Sequence, residues 1–316
     1  MRDIIKEISE RINNNLFGIG NNYLNELREI TQEFLLAGLS ETKFFENNVF
    51  NGGTALRILY GLNRYSDDLD FNMIINDDKF KWETYTKQLE EYGKKYGINF
   101  DFYEDNSDKG WKTKIVRVKD NSITEMLAKR RIVDKNITKK KGGFYPKTKI
   151  KIETSCFNNI NDRDYELKTL HFPEEKTVKV FNINSLFSGK LCACLTRSED
   201  IENSEERKLV DVGRDWYDLI WYIKKEIEPN YDLLKKKLIV HNIYKNKNIE
   251  KNTEWVKKEL FERIKLLNYD KINIDVKTLL KYGDNILINE DLLLESIRTM
   301  GKDGYKIKDT AENECR

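Results

Sequence analysis

The sequence predicts an α+β protein: a mixed sheet with flanking helices over residues 1–182, then a mainly helical half over residues 183–316. Three observations carry this. Short segments such as KIKIETSC at Lys149–Cys156 alternate apolar and polar residues with the period of a strand. Two stretches ahead of the first strand, residues 3–14 and 23–39, repeat their apolar residues at helical spacing. Beyond residue 231 only helical spacing recurs, separated by lysine-rich loops.

Composition bounds the answer. The chain has 316 residues, 39% hydrophobic and 35% charged, which suits a soluble globular protein of one large or two modest domains. Its formal net charge is +2, so any case for nucleic acid rests on local patches. Cys156, Cys192, Cys194 and Cys315 fit no zinc spacing or CxxC redox pair, and the two histidines, His171 and His241, have no partner pattern. That argues against a structural zinc and a Ser-His-Asp triad. The charged N-terminus MRDIIKEISERINNN lacks a signal-peptide core, and no apolar run approaches the roughly 18 residues of a membrane span. The expected setting is cytoplasmic, with reduced thiols.

Taken in order, Ile4, Ile5, Ile8 and Ile12 share a helix face, as do Leu24, Leu27, Ile30, Phe34 and Leu35 on the second helix. Val49-Phe50 ends an apolar run, Gly52-Gly53 turns the chain, Thr54–Tyr60 reads as a short helix and Asp68–Phe71 as a strand. A charged helix is expected over 79–96, and strands over 98–103 and 112–118. Residues 129–151 hold ten positive charges against Asp134 alone, together with Phe144 and Tyr145. Such a segment contacts phosphates and stacks on bases, or is simply a solvated charge run. Thr177–Phe181 reads as a strand and 184–197 as a helix carrying Lys190 and Arg197 two turns apart on one face. A lysine and an arginine so placed can hold a triphosphate. Residues 198–210 read as a charged loop. Helices are expected at about 214–225, 231–239, 252–266, 276–281 and 290–299.

Residues 49–71, VFNGGTALRILYGLNRYSDDLDF, carry the chemistry. Residues two apart on a strand face one side, so Asp68 and Asp70 present two carboxylates together. Paired carboxylates attract a cation, and hard oxygen donors suit Mg²⁺, which takes one or two protein carboxylates plus water and substrate phosphate. Gly52 and Gly53 let the backbone approach an anion, and the following helix aims its first N–H groups there. Together these are the parts that phosphoryl or nucleotidyl transfer needs. Either piece alone has a plainer alternative: an ordinary turn, a surface strand edge or a Ca²⁺ loop.

The order strand, Gly-Gly, helix, Asp-x-Asp strand resembles the nucleotidyltransferase fold of the DNA polymerase beta superfamily. The string GGTALR…YG…RYSDDLDF, with the later GRDWYDL, resembles the AbiEii/AbiGii toxin family of bacterial toxin–antitoxin systems. The resemblance covers about residues 45–225. It implies a Mg²⁺-dependent nucleotidyltransferase toxin, with a cognate antitoxin and a role in phage defence. An NMP passes from an NTP to an acceptor hydroxyl, the tRNA 3′ end being the acceptor in some related toxins; the base stays open.

It further implies a third carboxylate on a strand beside the Asp-x-Asp strand, for which Glu153 is the candidate and Asp101 the rival. In this reading Asp68, Asp70 and Glu153 hold metal. Gly52, Gly53, Thr54, Arg64, Ser66, Lys190 and Arg197 serve the nucleotide, Arg64 and Ser66 either touching phosphate or buttressing the loop. Arg214, Asp215, Tyr217, Asp218 and Leu219 match the late motif; Asp215 or Asp218 would be its functional acid, or both would only anchor the helix by a salt bridge. Two alternatives stay open: nucleotidylation of a protein hydroxyl, and a nucleic-acid-binding protein without turnover.

Overall fold

A computed structural model describes residues 3–15, 22–74, 80–104, 113–120, 122–129, 148–157, 160–200, 207–241, 243–281 and 284–301. The chain divides into two compact units, Met1–Asn182 with Thr278–Asn285, and Ile183–Lys277 with Ile286–Arg316.

The first unit is built on a seven-stranded mixed sheet of β1 (Asn48–Asn51), β2 (Leu69–Met73), β3 (Asp101–Glu104), β4 (Thr113–Asp120), β5 (Thr148–Cys156), β6 (Tyr165–Leu170) and β7 (Lys176–Phe181). Their order is β3-β4-β5-β2-β1-β7-β6, with β2–β5 and β1–β7 parallel and the other neighbours antiparallel. Its helices are α1 (Ile4–Asn15), α2 (Asn22–Ser40), α3 (Phe44–Asn47), α4 (Gly52–Tyr60), α5 (Glu83–Lys95) and α6 (Ser122–Lys129). One sheet face carries Phe50, Leu69, Phe71, Val116, Val118, Ile150 and Ile152, all buried. Phe71 meets Phe44 edge-on at 4.8 Å and Phe50 at 5.2 Å. α2 packs behind β5 and β7. Its buried polar residues are satisfied, as low-dielectric burial requires: Gln32 donates to the Ser66 carbonyl (3.0 Å), Asn25 to the Thr278 carbonyl (3.0 Å), and Glu26 accepts from the Tyr65 hydroxyl (2.8 Å).

The second unit is helical: α7 (Ile183–Thr196), α8 (Gly213–Lys224), α9 (Tyr231–Leu238), α10 (Thr253–Ile264), α11 (Tyr269–Lys277) and α12 (Glu290–Thr299), with a two-stranded ladder of β8 (Ser198–Asp200) and β9 (Arg207–Leu209). Asn230, Asn252 and Asn289 cap α9, α10 and α12 through their side chains. A Cβ on Gly213 would run into the Ile272 carbonyl, so glycine is what lets α8 and α11 approach. Phe187 stacks on Tyr222 at 4.4 Å between α7 and α8. Among the described residues no helix is long and apolar enough to cross a membrane.

Several boundaries differ from expectation, each for a local reason. Residues 198–210 contain the β8–β9 ladder rather than being all loop; their pattern alternates no apolar face that would have marked strands. The helix expected at 276–281 lies at Tyr269–Lys277, where the Asn268 side chain accepts from Lys271 N (3.0 Å) as a cap and Ile272 and Val276 are buried one turn apart. Strand β6 was not expected, because it is an edge strand whose Leu167 is 67% exposed. β2 begins at Leu69, not Asp68, since the Asp68 carbonyl bonds the Thr54 hydroxyl. Most of the basic segment 129–151, residues 130–147, lies outside the described residues, as does Cys315.

Candidate active site

The site of the first unit forms where β1 gives way to α4 and faces the start of β2. Gly52 opens α4 at φ +79°, a left-handed backbone that a side chain would strain. A Cβ there would collide with the Asp70 carboxylate oxygen, so the glycine bend and Asp70 are packed against each other. The next glycine serves a second approach. A Cβ on Gly53 would stand 3.0 Å from both the Arg64 guanidinium and the Ser66 hydroxyl. Asn51, the residue before α4, gives the helix no side-chain cap, and its amide instead donates to the Asn72 side chain (2.9 Å). The helix N-terminus therefore keeps its preference for an anion.

The carboxylates are set by register. β2 and β5 run parallel with Asp70 opposite Glu153. Strands so paired lie about 4.8 Å apart, and opposite residues share a face. Asp70 and Glu153 thus stand side by side on the sheet face turned away from the Phe50–Ile152 core. The Lys151 ammonium, two residues along β5, donates to Glu153. Asn72, two along β2, donates to the Ser155 hydroxyl (3.0 Å). Asp101 sits on β3, separated from β2 by β4 and β5, with Lys119 as its opposite number. Of the two rivals for the third acid, Glu153 is the one adjacent to Asp70. Asp68 immediately precedes β2, partly exposed.

Two residues expected to serve the nucleotide have protein partners. The Thr54 hydroxyl, expected to hold phosphate, is fully buried and donates to the Asp68 carbonyl, so it fixes the acid's backbone from behind. Arg64 is 1% exposed and donates to the Tyr65 carbonyl (2.7 Å), a bond within the loop. That loop is clamped further by Tyr65 N to the Leu279 carbonyl (2.8 Å) and by an ion pair between Arg28 and Asp67 (2.7 Å).

The donors Asp68, Asp70 and Glu153 are all hard oxygens, the chemistry Mg²⁺ selects. Among the described residues no three acid, histidine or cysteine side chains are already gathered as a metal cage. The donor set still fits Mg²⁺, which needs only one or two protein carboxylates when substrate phosphates complete its shell.

The second unit holds a separate cluster. Lys190 on α7 reaches Asp215 (2.7 Å) and Asp218 (2.8 Å) on α8, and Arg197 reaches the other Asp215 oxygen (2.7 Å). Asp218 is fully buried and the Asp215 side chain 3% exposed. Burial pushes the Asp215 carboxyl up, but the Lys190 and Arg197 charges outweigh it and hold it below the ordinary aspartate value. Both aspartates of GRDWYDL therefore grip one lysine. Asp218, spaced one turn from Arg214 in the sequence, pairs with Lys190 on α7, as in the helix-anchoring alternative.

The sequence places Lys151 on the Glu153 face and in the basic segment, but Asn72 and Ser155 beside the carboxylates were passed over. Asp70 and Asn72 alternate along β2, and that period could have found Asn72.

The model of the nucleotidyl transferase AbiEii toxin family, of a type IV toxin–antitoxin system, matches residues 33–282. The chain belongs to the AbiEii toxin family. It is accordingly a nucleotidyltransferase toxin of a toxin–antitoxin system, and the matched AbiEii residues span both the glycine bend and the Lys190 cluster. The fold of this AbiEii protein is shared with the nucleotidyltransferase toxin MenT4 of Mycobacterium tuberculosis, at 15% identity over 94% of this chain and 88% of that one, TM-score 0.53. JHP933 of Helicobacter pylori aligns at 17% identity over 88% of each chain, TM-score 0.46. No curated protein matches in sequence.

Proposed function

We propose that this AbiEii protein transfers a nucleoside monophosphate from an NTP to the 3′-terminal hydroxyl of tRNA, in the cytoplasm, with Mg²⁺ as cofactor, and that a cognate antitoxin counters it. The observation that carries the reading is the Asp70–Glu153 register beside a glycine bend that presses on Asp70.

Asp68, Asp70 and Glu153 would hold the metal, which supplies charge stabilisation to the attacking and leaving oxygens of an in-line displacement. The α4 N-terminus at Gly52-Gly53 and the Ser66 hydroxyl bind phosphate oxygens. Arg64 holds the Ser66 loop in place. Glu153 accepts the proton of the acceptor hydroxyl, and Lys151, already bonded to it, steadies the carboxylate for that task. The hydroxyl oxygen attacks the α-phosphorus and pyrophosphate leaves with the electron pair of the broken P–O bond. A phosphate-binding role for Lys190 and Arg197, with Asp215 and Asp218 orienting them, is a separate part of the proposal.

Incubation of the purified chain with each labelled NTP, Mg²⁺ and total bacterial RNA tests the reading. Label in the tRNA fraction, lost in D70N and E153Q, is the expected result. Label on protein would move the acceptor to a protein hydroxyl. Absence of label on either, with all four NTPs, would refute the proposal.

A further inference from the structure

The same register that aligns Asp70 with Glu153 also arranges the rest of that sheet face in rows across the strands. The row holding the two acids is Ile115, Glu153 and Asp70. The next row along is Tyr103, Arg117 and Lys151, and the one beyond it is Asp101, Lys119 and Lys149. Side chains in one row and in alternate positions along a strand share a face. The acids are thus followed by two rows with four cations and one acid. Lys149 is exposed and Arg117, Lys119 and Lys151 partly so. The Lys119 ammonium lies 4.1 Å from the centre of the Tyr103 ring, which holds an aromatic face among the cations.

We propose that this three-strand platform binds the phosphodiester backbone of the RNA acceptor strand and leads its end to the carboxylates. The inference rests on the proposed nucleotidyl transfer and deepens it. Two residues along a strand span about 6.7 Å, so the second basic row lies about 13 Å from Glu153. That is the length of about four nucleotides at a 3.4 Å rise. A nucleoside triphosphate held at the glycine bend would not extend across both rows, whereas a polynucleotide would. Lys151 links the two functions, since it belongs to the first basic row and donates to Glu153. Tyr103 offers a stacking surface to an unpaired base.

The test compares the unsubstituted chain with K119Q/K149Q and with K87Q/K94Q. The last removes the same charge from exposed positions on α5, a helix that packs on α2 behind the opposite sheet face. Binding of fluorescent total tRNA is measured between about 50 and 200 mM salt. Each lost phosphate contact to a single strand lowers the slope of log K against log salt by about 0.7, so K119Q/K149Q flattens it by about 1.4. K87Q/K94Q leaves the slope alone, and binding of a fluorescent NTP is equal in all three proteins. Equal flattening by both double variants, an unchanged slope in K119Q/K149Q, or a wild type that binds no tRNA overturns the platform. If wild type transfers nucleotide to tRNA but K119Q/K149Q binds it normally, only the platform falls. If these lysines bind tRNA yet no NTP is ever transferred, the platform stands and the transfer reading falls.

Discussion

Replacing Lys190 by methionine removes a cation that pairs with both buried aspartates of α8. The distances of 2.7 and 2.8 Å give a gross attraction of about 6 kcal/mol per pair at an effective dielectric of 20. Desolvating three charges takes back several kcal/mol for each ion, so the intact cluster adds little net stability. Deleting the lysine is a different matter. Asp215 keeps Arg197 at 2.7 Å, while Asp218, with no exposed surface, loses the ammonium at 2.8 Å. Removing one partner of a buried ion pair costs about 3–5 kcal/mol. Asp218→Asn should cost less, about 1–2 kcal/mol, because Lys190 then still pairs with Asp215. K190M/D218N removes both members of the buried pair, so the double variant should be about 2 kcal/mol more stable than the sum of the single losses. Urea unfolding of the full chain, followed by tryptophan fluorescence from Trp216 and Trp221 on α8, measures all three. A K190M loss under about 1 kcal/mol, or strict additivity in the cycle, would mean that Lys190 and Asp218 do not interact as a buried ion pair.

Other expectations follow from the first unit. Gly52→Ala places a methyl group against the Asp70 carboxylate at a left-handed backbone position, a strain of about 1–2 kcal/mol; nucleotide transfer should fall further than the thermal midpoint suggests, and a wild-type rate would contradict the packing of bend on acid. Thr54→Val deletes the bond to the Asp68 carbonyl, at about 1 kcal/mol, while Thr54→Ser keeps it, so transfer should drop in the first and survive in the second. Burial, partly offset by Arg11 at 2.5 Å and reinforced by Glu29 and Glu26, pushes the Glu33 carboxyl up to about 8. Between the unfolded value of about 4.3 and that pH, the folded protein holds a proton that the unfolded chain lacks. Stability should therefore decline as pH rises through this window, and denaturation midpoints of E33Q should show a flatter pH profile. For Asp215 the sign is reversed. Its carboxyl is held low, so its contribution is complete above the unfolded value of about 3.9 and is lost as pH falls through the folded one; D215N should blunt acid unfolding below about pH 4.

What the sequence determined by itself was local. Gly52-Gly53, the helix after it and the acids at Asp68 and Asp70 are consecutive in the chain, and their periods and turn chemistry depend only on neighbours. GRDWYDL could likewise be recognised as a unit, and the class of protein followed from these two strings. The core strands β2 and β5 were legible because their inward positions are apolar and their outward ones polar. Edge strand β6 was not, because solvent on its flank removes the pressure for alternation. Tertiary structure alone decided which residues meet. That Glu153, and not Asp101, stands beside Asp70 depended on a parallel pairing between strands some eighty positions apart, and no local pattern encodes a register of that kind. The same holds for Asp215 and Asp218 converging on Lys190, and for Thr54 turning its hydroxyl inward. Their partners are far away in sequence, and burial, which sets the energy of each pairing, exists only once the chain has closed around it.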